Sequence, residues 1–221
     1  MVAISEIVKN GIIFDPKNWQ KAMYNTDSLV QNIEHIFDTL NQRNINYLLV
    51  GGIALLSYVE GRNTQDIDLI LAKSDLQSLP EVAIKEENND FIRGEYGELI
   101  IDILLTQNEL FNKIIQQFAT IRQFGDMNIR CVTVEGLVIL KFYALPSLYR
   151  QGKFEKVSIY ENDILLLLLN YSINLNLIFQ ILSEHLLLSD LEEIRNIAAD
   201  IESRINRFST QKKKLTGSRE E

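Results

Sequence analysis

Apolar positions along the chain change period several times, and each change marks an element. Leu29, Val30, Ile33, Ile36, Phe37 and Leu40 recur at three- and four-residue steps, which predicts a helix that Asn41–Asn44 ends. Asp15-Pro16 reads as the cap and first turn of a helix before it. Tyr47-Leu-Leu-Val50 reads as a short buried strand, broken by Gly51-Gly52, and Ile53–Val59 as a short helix leading to a turn at Gly61–Thr64. In Asp66–Leu71 the period is two, so Asp66, Asp68 and Ile70 share one strand face while Ile67, Leu69 and Leu71 share the other. Residues 82–105 read as strands separated by polar turns at Glu86–Asn89 and near Gly94–Gly97; the last strand places Glu98, Ile100 and Asp102 on one face. Leu110–Phe118 is helical in pattern, and Phe124-Gly-Asp-Met127 is a turn between two short strands. From Val134 onward the pattern is all helix. Ser189 with Glu192 forms a capping box ahead of the stripe Leu191, Ile194, Ile197, Ile201, Ile205 and Phe208.

These elements imply an α/β (α+β) fold: a mixed sheet with helices packed on it, then a C-terminal helical bundle. The expected divisions are residues 1–133 for the core with its leading helices, 134–208 for the helical region, and 209–221 for a basic, flexible tail. Ile164–Ser183 is free of charge and as long as a membrane span. It contains Asn170, Asn174, Asn176 and Gln180, whose amides would be costly in hydrocarbon. The expectation is two soluble helices meeting near Asn174–Asn176 and no membrane. The N-terminus mixes acid and base into what would be the apolar stretch of a signal peptide.

Composition narrows the chemistry. With 22 Lys and Arg against 30 Asp and Glu, the net charge is −8, so no overall field holds the protein on nucleic acid. Residues 203–221 run the other way, with Arg204, Arg207, Lys212, Lys213, Lys214 and Arg219 against Glu220 and Glu221; they read as a solvated terminus or a local nucleic-acid contact. Cys131 is the only cysteine, which excludes an internal disulfide and a C-x-x-C zinc site and suits the cytoplasm. His35 reads as solvent-facing and His185 has no second histidine at ligand spacing; Trp19, Tyr143 and Tyr149 read as packing residues.

Asp66-x-Asp68 is the strongest chemical signal. Two carboxylates on one strand face suit a hard divalent cation that also takes phosphate oxygens. D-x-D alone is common by chance; its setting in the apolar run Ile67, Leu69, Ile70, Leu71 is not that of a solvated edge. Gly51-Gly52 opens a helix just upstream, where backbone could approach a phosphate. Asp102 stands alone in Leu99-Ile-Ile-Asp-Ile-Leu-Leu105, where a charge is expensive without a partner. Lys141 lies in the apolar helix Leu137–Leu145 and either snorkels to the surface or points its ammonium at a phosphate. Arg150 and Lys153 read as solvated surface, with phosphate or RNA contact as the alternative.

This order of parts resembles the nucleotidyltransferase superfamily, the fold of DNA polymerase beta: Gly51-Gly52, then Asp66-Ile67-Asp68, then Asp102, over about residues 45–165. The wording Val50-Gly-Gly-Ile-Ala-Leu55 and Gly61-Arg-Asn-Thr-Gln-Asp-Ile-Asp-Leu69 is most similar to the small bacterial branch with the AbiEii toxins, in which an arginine and threonine precede D-x-D, as Arg62 and Thr64 do. The resemblance implies a nucleotidyltransferase core and two-metal transfer of a nucleotide from an NTP to an acceptor hydroxyl. Asp66, Asp68 and Asp102 would be ligands of Mg²⁺ or Mn²⁺, and Gly51, Gly52, Arg62, Thr64 and Lys141 would hold nucleotide. The branch also carries a lysine–aspartate pair before a later helix; its nearest match is Lys156 and Asp163, and Asp163 could equally be a helix-start residue. Three readings stay open: an enzyme acting on tRNA as a toxin with an antitoxin protein as partner, the same chemistry on a small molecule such as an aminoglycoside, and a non-catalytic binding member of the fold.

Overall fold

The computed structural model describes residues 26–59, 64, 66–97 and 99–217, without the side chains of 26–29 and 208–217. The Asp15-Pro16 cap, Trp19, Arg62 with most of its turn, Glu98 and Arg219 lie outside those residues. The chain divides into two compact units, residues 1–137 and 138–221.

In the first unit the amphipathic stripe forms α1 (Thr26–Gln42), with Val30, Ile33, Ile36, Phe37 and Leu40 buried. Then come β1 (Leu48–Val50), α2 (Gly51–Leu56), β2 (Asp66–Leu71), β3 (Ala83–Glu87), β4 (Phe91–Tyr96), β5 (Leu99–Leu105), α3 (Glu109–Gln117), β6 (Ala119–Phe124) and β7 (Met127–Val132). The strands form one mixed sheet in the order β3-β4-β5-β2-β1-β7-β6. β2 runs parallel to β5 and β1 parallel to β7; the other neighbours are antiparallel. Helices α1, α2 and α3 pack on its strands. Asn108 caps α3, its side-chain oxygen accepting from the N–H groups of Leu110 and Phe111 at 3.0 and 3.3 Å.

Two turns are narrower than the spacing suggests. β3 continues to Glu87, and its turn is built by Asn88, whose Oδ1 accepts from the N–H groups of Asp90 and Phe91. β4 runs through Gly94 to Tyr96. A Cβ at Gly94 would stand 2.8 Å from Val82 Cγ1, so this glycine serves close packing and the turn sits at Gly97, with φ +61°. A 3-10 turn at Lys73–Ser78 was not legible in the pattern.

The second unit holds α4 (Val134–Arg150), whose first residues belong to the first unit, then α5 (Phe154–Asn170), α6 (Leu175–Leu182) and α7 (Leu188–Gly217). Asn174 caps α6, so the uncharged run is divided there as its amides suggested. Among the described residues no helix is long and apolar enough to cross a membrane. The Ser189 capping box does not form the helix start. Leu191 N–H already bonds the Leu187 carbonyl at 3.0 Å, which places Ser189 inside the first turn. α7 continues past Phe208 to Gly217, into the basic stretch.

Candidate active site

The site is built on the middle of the sheet, where β2 lies between β1 and β5. Register places Asp68 opposite Asp102 on the parallel strand β5, and Asp102 opposite Arg93 on β4. Paired residues point to the same side of a sheet. Asp66, Asp68, Asp102 and Arg93 therefore share one face, as the alternation in β2 and β5 required. The opposite face is closed by Ile67, Leu69, Leu71, Ile92, Ile101, Ile103 and Leu105, all buried. Burying that face in apolar side chains locks the register, since a one-residue slip would drive both β2 carboxylates into the core.

The glycine turn rests directly on the D-x-D strand. Gly51 has φ +66°, and a Cβ there would fall inside the Asp68 carboxylate. At Gly52 a Cβ would stand 2.5 Å from Thr64 Oγ1. The Gly52 N–H donates to Asp68 Oδ2 at 3.3 Å, and the Thr64 hydroxyl donates to Asp66 Oδ1 at 2.8 Å. Thr64 is buried. The demand for small residues at positions 51 and 52 thus comes from Asp68 and Thr64 themselves.

Asp102 is held by a residue that the sequence did not single out. Arg93 Nε donates to Asp102 Oδ1 at 2.7 Å and Arg93 Nη2 to Oδ2 at 2.6 Å, a two-bond fork. The Asp102 carboxylate pushes the guanidinium pKa still higher, so it stays charged at every working pH. The alternation Phe91, Arg93, Glu95 was readable once β4 is seen to pass through Gly94; its register against Asp102 was not.

The donor set of Asp66 and Asp68 is chemically right for a hard divalent cation. The third carboxylate does not yet join them: among the described residues no group of three or more Asp, Glu, His or Cys side chains is gathered to hold a metal ion. Asp102 faces the Arg93 fork instead.

Lys141 does not snorkel. It is 4% exposed, and its Nζ lies 2.7 Å from Asp163 Oδ2 and 4.5 Å from the Tyr160 ring centre, all within the second unit. Asp163 is therefore neither a helix-start residue nor the partner of Lys156, which is exposed; it lies well inside α5 and pairs with Lys141. Arg150 Nη1 reaches Asp190 at 2.7 Å while its side chain stays mostly exposed. His35 is exposed as expected, with Nδ1 bonded to the Tyr96 hydroxyl.

No known protein-family model matches this chain, and no curated protein sequence matches it. Solved structures do resemble it. An antigenic nucleotidyltransferase-like protein from Paracoccidioides brasiliensis aligns with TM-score 0.52 and 16% identity, over 81% of this chain and 93% of that one. ANT(2'')-Ia, solved in complex with adenylyl-2''-tobramycin, aligns with TM-score 0.49 and 15% identity, over 80% of this chain and 98% of that one. The first likeness shows the fold: α+β, a mixed sheet with helices packed on it.

Proposed function

We propose that this chain transfers a nucleotidyl group from a nucleoside triphosphate to an acceptor hydroxyl. The observation that supports this most is the row Asp68–Asp102 across parallel strands, with Asp66 on the same face and the Gly51-Gly52 turn pressed against it. Asp66 and Asp68 are the residues that would hold Mg²⁺ or Mn²⁺. When bound, such an ion would neutralise triphosphate oxygens and lower the barrier to displacement. The acceptor hydroxyl oxygen attacks the α-phosphorus and releases its proton to solvent, the bond from the α-phosphorus to the oxygen bridging the β-phosphate breaks, and pyrophosphate leaves with that oxygen. Thr64 orients Asp66 and the Gly52 N–H orients Asp68, so both carboxylates are set before substrate arrives. Lys141 stays outside this reading, because its ammonium is committed to Asp163.

The acceptor we favour is RNA, on the strength of the positive charge concentrated in residues 203–221 of an otherwise acidic chain. The test incubates the protein with each α-labelled NTP and Mg²⁺, with total RNA in one arm and an aminoglycoside panel in the other. Label entering RNA with the wild type and not with Asp68→Asn supports the proposal. Label entering only the aminoglycosides would move the acceptor to the small-molecule class. Label entering either acceptor equally with Asp68→Asn would refute the catalytic assignment.

A further inference from the structure

Arg93, Asp102 and Asp68 stand in one row across β4, β5 and β2. We propose that Arg93 is a resident counter-ion of Asp102 that a divalent cation must displace before the third carboxylate can join Asp66 and Asp68. Arg93 is thus a positioning residue that acts through Asp102. The inference rests on the nucleotidyl-transfer reading above.

Three features of the pair carry it. First, the fork engages both oxygens of Asp102, at 2.7 and 2.6 Å, and among the described residues no group of three carboxylates is gathered to hold a metal ion. A cation shared with Asp68 has to compete with two charge-assisted bonds for the same oxygens. Second, the partners differ in freedom. The Asp102 side chain is 10% exposed and fixed in the middle of an apolar strand, whereas that of Arg93 is 36% exposed. The guanidinium has solvent to move into; the carboxylate does not. Phe91, two residues away on the same face of β4, offers a surface for the released group, its ring centre already 5.8 Å from the guanidinium carbon. Third, Asp102 needs a positive partner in every state, because it is only 7% exposed and a lone buried carboxylate would be costly. Arg93 supplies that charge until a cation does. The exchange keeps a positive charge against Asp102 and frees a guanidinium on the D-x-D face, beside the place where triphosphate would lie.

Mn²⁺ is the probe, its binding read from the electron paramagnetic resonance of the free ion, with no substrate present. Arg93→Met should tighten Mn²⁺ binding about tenfold, the scale of a bidentate charged pair at a partly exposed site. Arg93→Lys keeps the charge and loses the fork, and should tighten binding about threefold. Adding Asp102→Asn to Arg93→Met should erase the gain, since the gain runs through that carboxylate. A loss of local structure would weaken binding, so the sign separates displacement from damage. If Arg93→Met does not fold, Arg93→Lys decides alone. Unchanged or weaker binding in Arg93→Lys overturns the inference, and so does a gain that survives Asp102→Asn. Asp68→Asn, measured alongside, tests the underlying reading: loss of Mn²⁺ there keeps that reading even when the Arg93 variants overturn this one. Wild-type affinity in Asp68→Asn would overturn both.

Discussion

Lys141 and Asp163 are each almost fully buried and pair at 2.7 Å, so removing one takes the opposite charge from the other. Lys141→Met should lower stability by roughly 3–5 kcal/mol, the usual cost of breaking a buried ion pair from one side, while Lys141→Met with Asp163→Leu should recover most of it. Denaturant midpoints of the two variants check this; a single variant as stable as the wild type would mean the pair contributes nothing. At Gly51 a different constraint applies. Its left-handed backbone alone makes Gly51→Ala cost about 1–2 kcal/mol, and the new methyl must also move Asp68. This variant should lose Mn²⁺ binding even at temperatures where it remains folded. Residue types at Asp66, Asp68 and Asp102 were legible because a charge in an apolar strand demands an explanation. The ion pairs were not, because Arg93 finds Asp102 through strand register and Lys141 finds Asp163 through helix packing, which residue spacing does not encode.

Elements were legible where period and stop signals agreed. β2 spans Asp66–Leu71 as the pattern predicts, and β5, Leu99–Leu105, lies within the strand the pattern predicts. At Gly94 the signals conflict, since glycine reads as a turn while its true demand is room for Val82 from outside the strand. At Ser189 the helix begins earlier because the Leu187 carbonyl is already engaged. Caps offer a direct check on element stability. Asn108→Ala removes both acceptor contacts at the start of α3 and should cost about 1 kcal/mol, whereas Asn108→Asp should retain most of it. Thermal unfolding distinguishes the two; equal losses would show that the side-chain oxygen is not what holds that helix end.

For the whole molecule, two buried protonated groups set the alkaline limit. Burial pushes the Cys131 thiol from 9.0 up to about 12 and the Tyr47 phenol from 10.0 up to about 12. A raised folded pKa means the native state holds protons that the unfolded chain releases. Their contribution is therefore complete below about pH 9 and drains away as pH climbs from 9 to 12. Denaturant stability should fall across that window, and Cys131→Ala should flatten the fall. A stability curve with no alkaline slope would contradict the burial of these groups. The sequence's division into a sheet region followed by helices reflects the change of period near Val134, but the reach of α7 to Gly217 has no apolar stripe to announce it. In the proposed function the D-x-D face binds triphosphate through a divalent cation. Calorimetry with a non-hydrolysable NTP, with and without Mg²⁺, on the wild type and Asp68→Asn measures this most directly. Binding is expected only for the wild type with Mg²⁺; equal affinity without Mg²⁺, or in Asp68→Asn, would refute the proposed function.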